Sequence, residues 1–284
     1  MALPRTIIDM KEMQSLAASW KQAQETIAFV PTMGALHAGH LELVKYAGQI
    51  ASKVVVSIFV NPSQFGPNED FAKYPRALRE DLEKLSSLRV DAVFTPNASE
   101  MYPPGFQCWL ENTGMSLDYC GPLRPGHFRG VQTIVLKLIN VTRADHAVFG
   151  KKDYQQVRVI ERMVRDLQVP TTIHPLETVR EDDGLAMSSR NRYLNEADRQ
   201  LALALPMALN ATFDKFELGV RSRQELEKAF LDEIGKFPEF ELDYVHVCNQ
   251  NDLAREGDEV TEPSVILAAV KLGTVRLIDN LELG

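Results

Sequence analysis

Two glycines and two histidines stand where a strand turns into a helix: Pro31-Thr32-Met33-Gly34-Ala35-Leu36-His37-Ala38-Gly39-His40. The apolar run before it, Ile27-Ala28-Phe29-Val30, reads as a buried strand. The stretch after it, Leu41 to Ala47, reads as a helix with Leu41 and Val44 on one face. The first amides of a helix have no internal partner and the helix dipole is positive there, so such a junction attracts anions such as phosphate. His37 and His40 are three residues apart and share one side of the first turn. Gly34 and Gly39 let a ligand approach the backbone closely.

The next strand fixes the kind of sheet. Lys53 to Val60 is β-branched and apolar without alternation, as expected of a strand buried on both faces of a parallel sheet. With the helix between them, the two strands form a β-α-β unit with a right-handed crossover. The second strand runs into Asn61-Pro62-Ser63-Gln64-Phe65-Gly66. In an open parallel sheet, ligands bind outside the carboxyl ends of the strands, which puts Asn61 and Gln64 near the crevice of the two histidines. Their amides both donate and accept, which suits a hydroxy acid.

Further elements follow the same alternation. Residues 9–23 read as a helix, Leu78 to Leu88 as another, Val90 to Pro96 as a strand, Phe106 to Leu110 as a short strand and residues 111–125 as a loop or lid. Gly126 to Asn140 opens and continues a helix, in which His127 and Arg129 either meet an anion or cap and pack the helix. Asp145 to Phe149 is a strand leading into a second glycine turn, Gly150-Lys151-Lys152-Asp153, and then a helix through Val157, Ile160 and Val164. Lys152 can neutralise phosphate, and Asp153 can cap the helix and orient a ribose or a magnesium-bound water. Thr171 to Pro175 is a further strand, followed by Asp182-Asp183-Gly184 in turn chemistry and Met187-Ser188-Ser189-Arg190-Asn191. Beyond Asn195 the pattern changes to a long helix, Glu196 to Phe216, a helix capped by Ser222, and strands at residues 242–247, 264–270 and 274–278. The expected architecture is therefore α/β: a Rossmann-like parallel sheet over residues 1–186 and a smaller α+β cover domain over residues 187–284.

Composition narrows the function. The net charge of -8 argues against a broad nucleic-acid surface. Three widely spaced cysteines give neither a disulfide framework nor a metal-ligand pairing and suit a reducing, cytoplasmic setting. Met1 to Met10 contain no signal-peptide apolar stretch. Neither Gly-x-Gly-x-x-Gly nor a P-loop lysine motif occurs, which argues against a nicotinamide enzyme and a P-loop kinase.

Taken together, the motifs resemble a known family. His37-Ala38-Gly39-His40 resembles the H-x-G-H signature of the nucleotidylyltransferase and class I aminoacyl-tRNA synthetase superfamily, and the longer string from Pro31 resembles the pantothenate synthetase (pantoate–β-alanine ligase) family. Asn61 to Phe65 is similar to the family's Asn-Pro-x-Gln-Phe, Tyr102 to Gly105 to its Tyr-Pro-x-Gly, His127 to Gly130 to its His-Phe-x-Gly, and Met187 to Asn191 to its Met-Ser-Ser-Arg-Asn. Phe149 to Gln156 is similar to Phe-Gly-Glu-Lys-Asp-x-Gln-Gln, with Lys151 where glutamate is usual.

The resemblance implies ATP-dependent condensation of pantoate with β-alanine through a pantoyl adenylate, with Mg²⁺ bridging phosphate oxygens and no protein metal ligands. It assigns His37, His40, Lys152, Ser188, Ser189 and Arg190 to the phosphates, with His40 as the proton donor if one acts. Gln64 and Gln156 would hold pantoate, with Asn61 and Met33 beside it. Met33, Gly34, Gly39, Gly150, Lys151, Asp153, Val179 and Met187 would complete the nucleotide site. It also implies a homodimer with small-molecule partners and no membrane or nucleic acid. Three alternatives remain open: an adenylyltransferase of the same superfamily acting on another substrate, a tRNA synthetase relative disfavoured by the acidity, and a non-catalytic nucleotide sensor.

Overall fold

The computed structural model describes residues 3–67, 69–255 and 257–284. Met1 and Ala2, the start of the segment read as lacking a signal peptide, lie outside the described residues. The chain divides into two compact units, one of residues Met1–Lys151 and Val159–Glu177, the other of Lys152–Arg158 and Thr178–Gly284.

The first unit is a parallel sheet with helices. Its strands are β1 (Thr6–Ile7), β2 (Ile27–Thr32), β3 (Lys53–Ile58), β4 (Ala92–Phe94), β5 (His146–Gly150) and β6 (Thr172–Leu176), in the order β1-β4-β3-β2-β5-β6, and every pairing is parallel. Its helices include α1 (Met10–Gln22), α2 (Ala38–Ile50), α3 (Leu78–Leu85), the short α4 (Ala98–Met101) and α5 (Cys120–Leu123), and α6 (His127–Thr142). The helix α7 (Tyr154–Asp166) carries residues of both units. The unbroken apolar runs are explained by burial: Ala28, Val30, Val54 and Val56 are fully enclosed in one cluster with Val44, Ala47 and Leu85. Asp9 caps α1 by accepting the Glu12 amide at 2.8 Å.

The second unit contains α8 (Glu196–Leu201), α9 (Ala204–Glu217), α10 (Arg223–Ile234) and an antiparallel sheet of β7 (Phe240–Asn249), β8 (Ser264–Leu272) and β9 (Val275–Leu283). Leu205, Phe216, Phe230, Val247 and Ile266 form its core.

Two local expectations change. Phe106 to Leu110 forms no strand; the Leu110 amide instead donates to Thr133 Oγ1 at 3.0 Å, while Phe106 and Trp109 pack in an aromatic group with Tyr102. The single helix expected over 196–216 breaks into α8 and α9, because Pro206 lacks an N–H and sits in the first turn of α9, where no intrahelical bond is lost. Strand β1, two residues on the sheet edge, is too short to give a periodicity. No helix among the described residues is long and apolar enough to cross a membrane.

Beneath the β5–β6 pair, three rings form a chain: Tyr46 Oη lies 3.2 Å from His174 Nδ1, and His174 Nε2 lies 3.1 Å from His146 Nδ1. Burial, and then the charge of His146, hold His174 below the ordinary 6.5. The unfolded chain therefore takes up this proton first on acidification, so the contribution is complete above about pH 6.5 and is lost as pH falls towards the folded value. The thermal midpoint is expected to drop between pH 7 and pH 5, and less steeply in His174→Gln. Equal slopes in the two proteins would show that His174 is not responsible.

Candidate active site

At the carboxyl end of the central strand β2, the chain turns through Met33–Leu36 and enters α2 at Ala38, with His37 as the residue preceding the helix. The His37 amide donates to His40 Nδ1 at 3.3 Å. A backbone N–H can only donate, so Nδ1 accepts and the neutral ring carries its proton on Nε2. The two imidazoles lie against each other with centroids 4.0 Å apart, tilted by 43°. Gly39 is the second residue of α2, beside them.

The turn is shaped by a residue the sequence reading left out. Asp81 on α3 is fully buried and accepts the Ala35 and Leu36 amides at 2.9 and 2.7 Å. One turn on, Lys84 Nζ donates to Leu36 O at 2.7 Å. Gly34 and Ala35 both have positive φ, +82° and +51°. A Cβ at Gly34 would sit 3.0 Å from Ile58 and 3.1 Å from Asp81 Oδ2, so this glycine serves the turn itself. The signal was present in the sequence: Leu78, Asp81, Leu82 and Leu85 share one face of α3, which puts an acid on an apolar stripe.

The turn after β3 is held from three sides. Asn61 Nδ2 donates to Gln64 Oε1 at 2.9 Å and to Gly130 O at 3.2 Å. His127 Nδ1 bonds Gln64 O at 2.9 Å, and its Nε2 lies 3.0 Å from Arg124 Nη1. Arginine only donates and a carbonyl only accepts, so His127 is the neutral Nδ1–H tautomer. It therefore packs the start of α6 against this turn, which decides between its two sequence readings. Arg124 also forks onto Glu69, at 2.7 and 2.6 Å. Burial alone would raise the Glu69 carboxyl, but the hydrogen bonds and charge of Arg124 outweigh it and hold the group below the ordinary 4.5. Gln64 Nε2 reaches Met33 Sδ at 3.2 Å, so Met33, Asn61 and Gln64 meet within the first unit.

Gly150 ends β5 and leads into a 3-10 turn, Lys151–Asp153. Lys151 Nζ pairs with Glu177 at 2.6 Å, so a local acid faces this lysine. Asp153 directly precedes α7, and Gln156 lies in its first turn.

Within the second unit, the Val179 carbonyl accepts the Met187 amide at 3.0 Å, closing a hairpin around Asp183 and Gly184. Ser188 begins the 3-10 helix Ser189–Tyr193 and its hydroxyl accepts the Arg190 amide at 3.2 Å. Asn191 ties this helix to the hairpin through Glu181 Oε1 and Ala186 O, at 2.8 and 3.1 Å. Ser189 is buried and Arg190 is partly exposed. Lys152 and Ser188 line one pocket with Ala186, Asn191 and Arg276. Arg276 comes from β9 and no local motif marked it.

The pantoate–β-alanine ligase family model matches residues 5–282 of the chain. The chain is 47% identical to the pantothenate synthetase of Methylococcus capsulatus over 274 residues, covering 95% of this chain and 94% of that one. It is 44% identical to that of Colwellia psychrerythraea over 98% of both chains. Among solved structures, a pantothenate synthetase from Thermus thermophilus superposes with a TM-score of 0.93 at 40% identity, covering 98% of this chain and 99% of the other. A pantoate–β-alanine ligase from Francisella tularensis, complexed with β-γ ATP and β-alanine, gives 0.81 at 35% identity over 98% and 97%. With the H-x-G-H turn on a parallel sheet and near-complete matches in sequence and structure, the chain belongs to the pantoate–β-alanine ligase family.

Proposed function

We propose that the chain joins pantoate to β-alanine in two steps on ATP. The pantoate carboxylate oxygen attacks the α-phosphorus of ATP, and pyrophosphate leaves. The β-alanine amine then attacks the carbonyl of the pantoyl adenylate and forms the C–N bond, the C–O bond to AMP breaks with AMP taking the oxygen and its electron pair, and the amine's proton passes to water. An amine cannot expel oxide from a carboxylate, whereas AMP is a far better leaving group. When bound together with ATP, Mg²⁺ would supply charge neutralisation to the phosphates, beside the groups of this chain assigned to them below.

The observation that carries this reading is the His37–His40 turn. The Nδ1 of His40 accepts from the backbone, so the ring's donor is Nε2–H, in the first turn of a thirteen-residue helix whose positive end attracts phosphate. Around that donor, His37, Lys152, Ser188, Ser189 and Arg190 are assigned to charge on the phosphates, and Gly34, Gly39, Gly150, Lys151, Asp153, Val179 and Met187 to the rest of the nucleotide. Gln64 and Gln156 are assigned to pantoate, with Asn61 and Met33 beside it. The likeness to the family carries with it a cytoplasmic homodimer.

Release of pyrophosphate and AMP is the test, measured with Mg·ATP and pantoate, with and without β-alanine. Sustained AMP release that requires both acids is the expected result. Pyrophosphate release without any effect of the amine would favour an adenylyltransferase, and silence with pantoate would remove this substrate from the reading.

A further inference from the structure

The side-chain amide of Asn61 is fully specified by its surroundings. Its Oδ1 receives the Tyr102 hydroxyl at 2.8 Å, the Ser63 hydroxyl at 2.9 Å and the Ser63 amide at 3.3 Å. Its Nδ2 donates to two oxygens, Gln64 Oε1 and Gly130 O. Rotating the amide by half a turn would set oxygen against both of those oxygens and nitrogen against the Ser63 amide. At 1% exposure there is no water to absorb the mismatch. The orientation of Asn61 passes to Gln64. With Oε1 of Gln64 occupied by Asn61, its remaining polar atom is the Nε2 donor, whose partner is the thioether of Met33 at 3.2 Å. Thioether sulfur is a weak acceptor, so a carboxylate or hydroxyl oxygen displaces it.

We propose that Tyr102 is a positioning residue for the acid substrate: through Asn61, its hydroxyl fixes the Gln64 amide as a hydrogen-bond donor that reads an oxygen of pantoate and not the ammonium of β-alanine. The proposal rests on the assignment of Gln64 to pantoate. Tyr102 is suited to this because its ring is itself immobilised. Trp109 stacks on it at 5.6 Å and 17°, Phe106 meets it edge-on at 5.2 Å, and Lys137 lies 5.4 Å from its centroid while donating to the Met101 carbonyl. Those contacts involve the ring and not the hydroxyl, so Tyr102→Phe keeps them and removes the hydroxyl's own bonds, to Asn61 Oδ1 and to Ser63 Oγ, each at 2.8 Å.

The experiment is a double-mutant cycle of Tyr102→Phe and Gln64→Ala, read as KM and kcat for pantoate, β-alanine and ATP. Tyr102→Phe alone is expected to raise KM for pantoate about tenfold, the scale of one lost hydrogen bond to a buried polar group, with KM for β-alanine and ATP within about twofold of wild type. In the Gln64→Ala background the same change is expected to have less than about a twofold effect, because the residue it acts through is gone. Additive effects, or a uniform loss across the three substrates, would overturn the proposal and leave Tyr102 a packing residue. A wild-type protein without pantoate-dependent AMP release would overturn the assignment of Gln64 and this proposal with it. Activity in the wild type with an additive cycle would overturn this proposal alone.

Discussion

His40→Ala is expected to lower kcat/KM by about 10²- to 10³-fold, the usual cost of removing one preorganised donor from a developing charge. The reason is geometric. With Nδ1 tied to the His37 amide, the ring cannot turn to offer either nitrogen indifferently, and its Nε2–H is fixed in direction before ATP arrives. Alanine removes that donor and also strands the His37 amide. The two losses separate kinetically: loss of the donor slows pyrophosphate release in a single turnover, whereas attack of β-alanine on preformed pantoyl adenylate is affected much less. His40→Gln, which keeps an N–H donor at a similar reach, is expected to recover part of the rate. Retention of kcat/KM within about tenfold in the alanine variant would show that the neighbouring groups carry the charge without it.

Gly130→Ala is expected to produce the second large effect, and here two principles oppose each other. By helix propensity alone the change stabilises α6 by about 1 kcal/mol. By contact it does not fit: the added Cβ would stand 2.3 Å from Ser63 O, 2.6 Å from Ser63 C and 2.8 Å from Gln64 N. These are backbone atoms, so no side-chain rotation relieves the overlap, and either α6 or the 61–64 turn must move. Overpacking of this kind costs about 1–3 kcal/mol or more, and contact outweighs propensity. Displacing the turn also breaks the bond from Asn61 to the Gly130 carbonyl and misaligns Gln64. The expected result is a lower thermal midpoint with kcat/KM for pantoate down by at least about tenfold. An unchanged midpoint and unchanged KM would mean that the turn relaxes freely.

Both variants bear on how far the site can be read from the chain. The H-x-G-H turn, the Asn-Pro turn, the Gly-Lys-Lys-Asp turn and the Ser-Ser-Arg loop all lie at the element boundaries that local periodicity assigned. Local pattern suffices there because a strand buried on both faces, such as Val54–Val56, and a helix start after it are each dictated by neighbours in sequence. The residues that aim those motifs are of another kind. Asp81 meets Ala35 and Leu36 from 46 and 45 positions away, Tyr102 meets Asn61 from 41, and Gly130 meets the turn at Ser63 from 67. No local period encodes such partners.

The same division separates the correct elements from the mistaken ones. The sequence by itself determined that the first unit is a parallel α/β sheet and where its H-x-G-H turn lies, because apolar runs without alternation and the glycines at their ends admit few other arrangements. Only the tertiary structure decided that Phe106–Leu110 leaves the sheet for an aromatic cluster, that the helix from Glu196 restarts before Pro206, and that β1 joins the edge beside β4. It also decided the direction of each polar group: the tautomers of His40 and His127 and the face of the Asn61 amide follow from donors and acceptors that tertiary folding brings into reach. A hydrogen bond is directional and its partner is a matter of space, whereas burial is a property each segment largely declares alone.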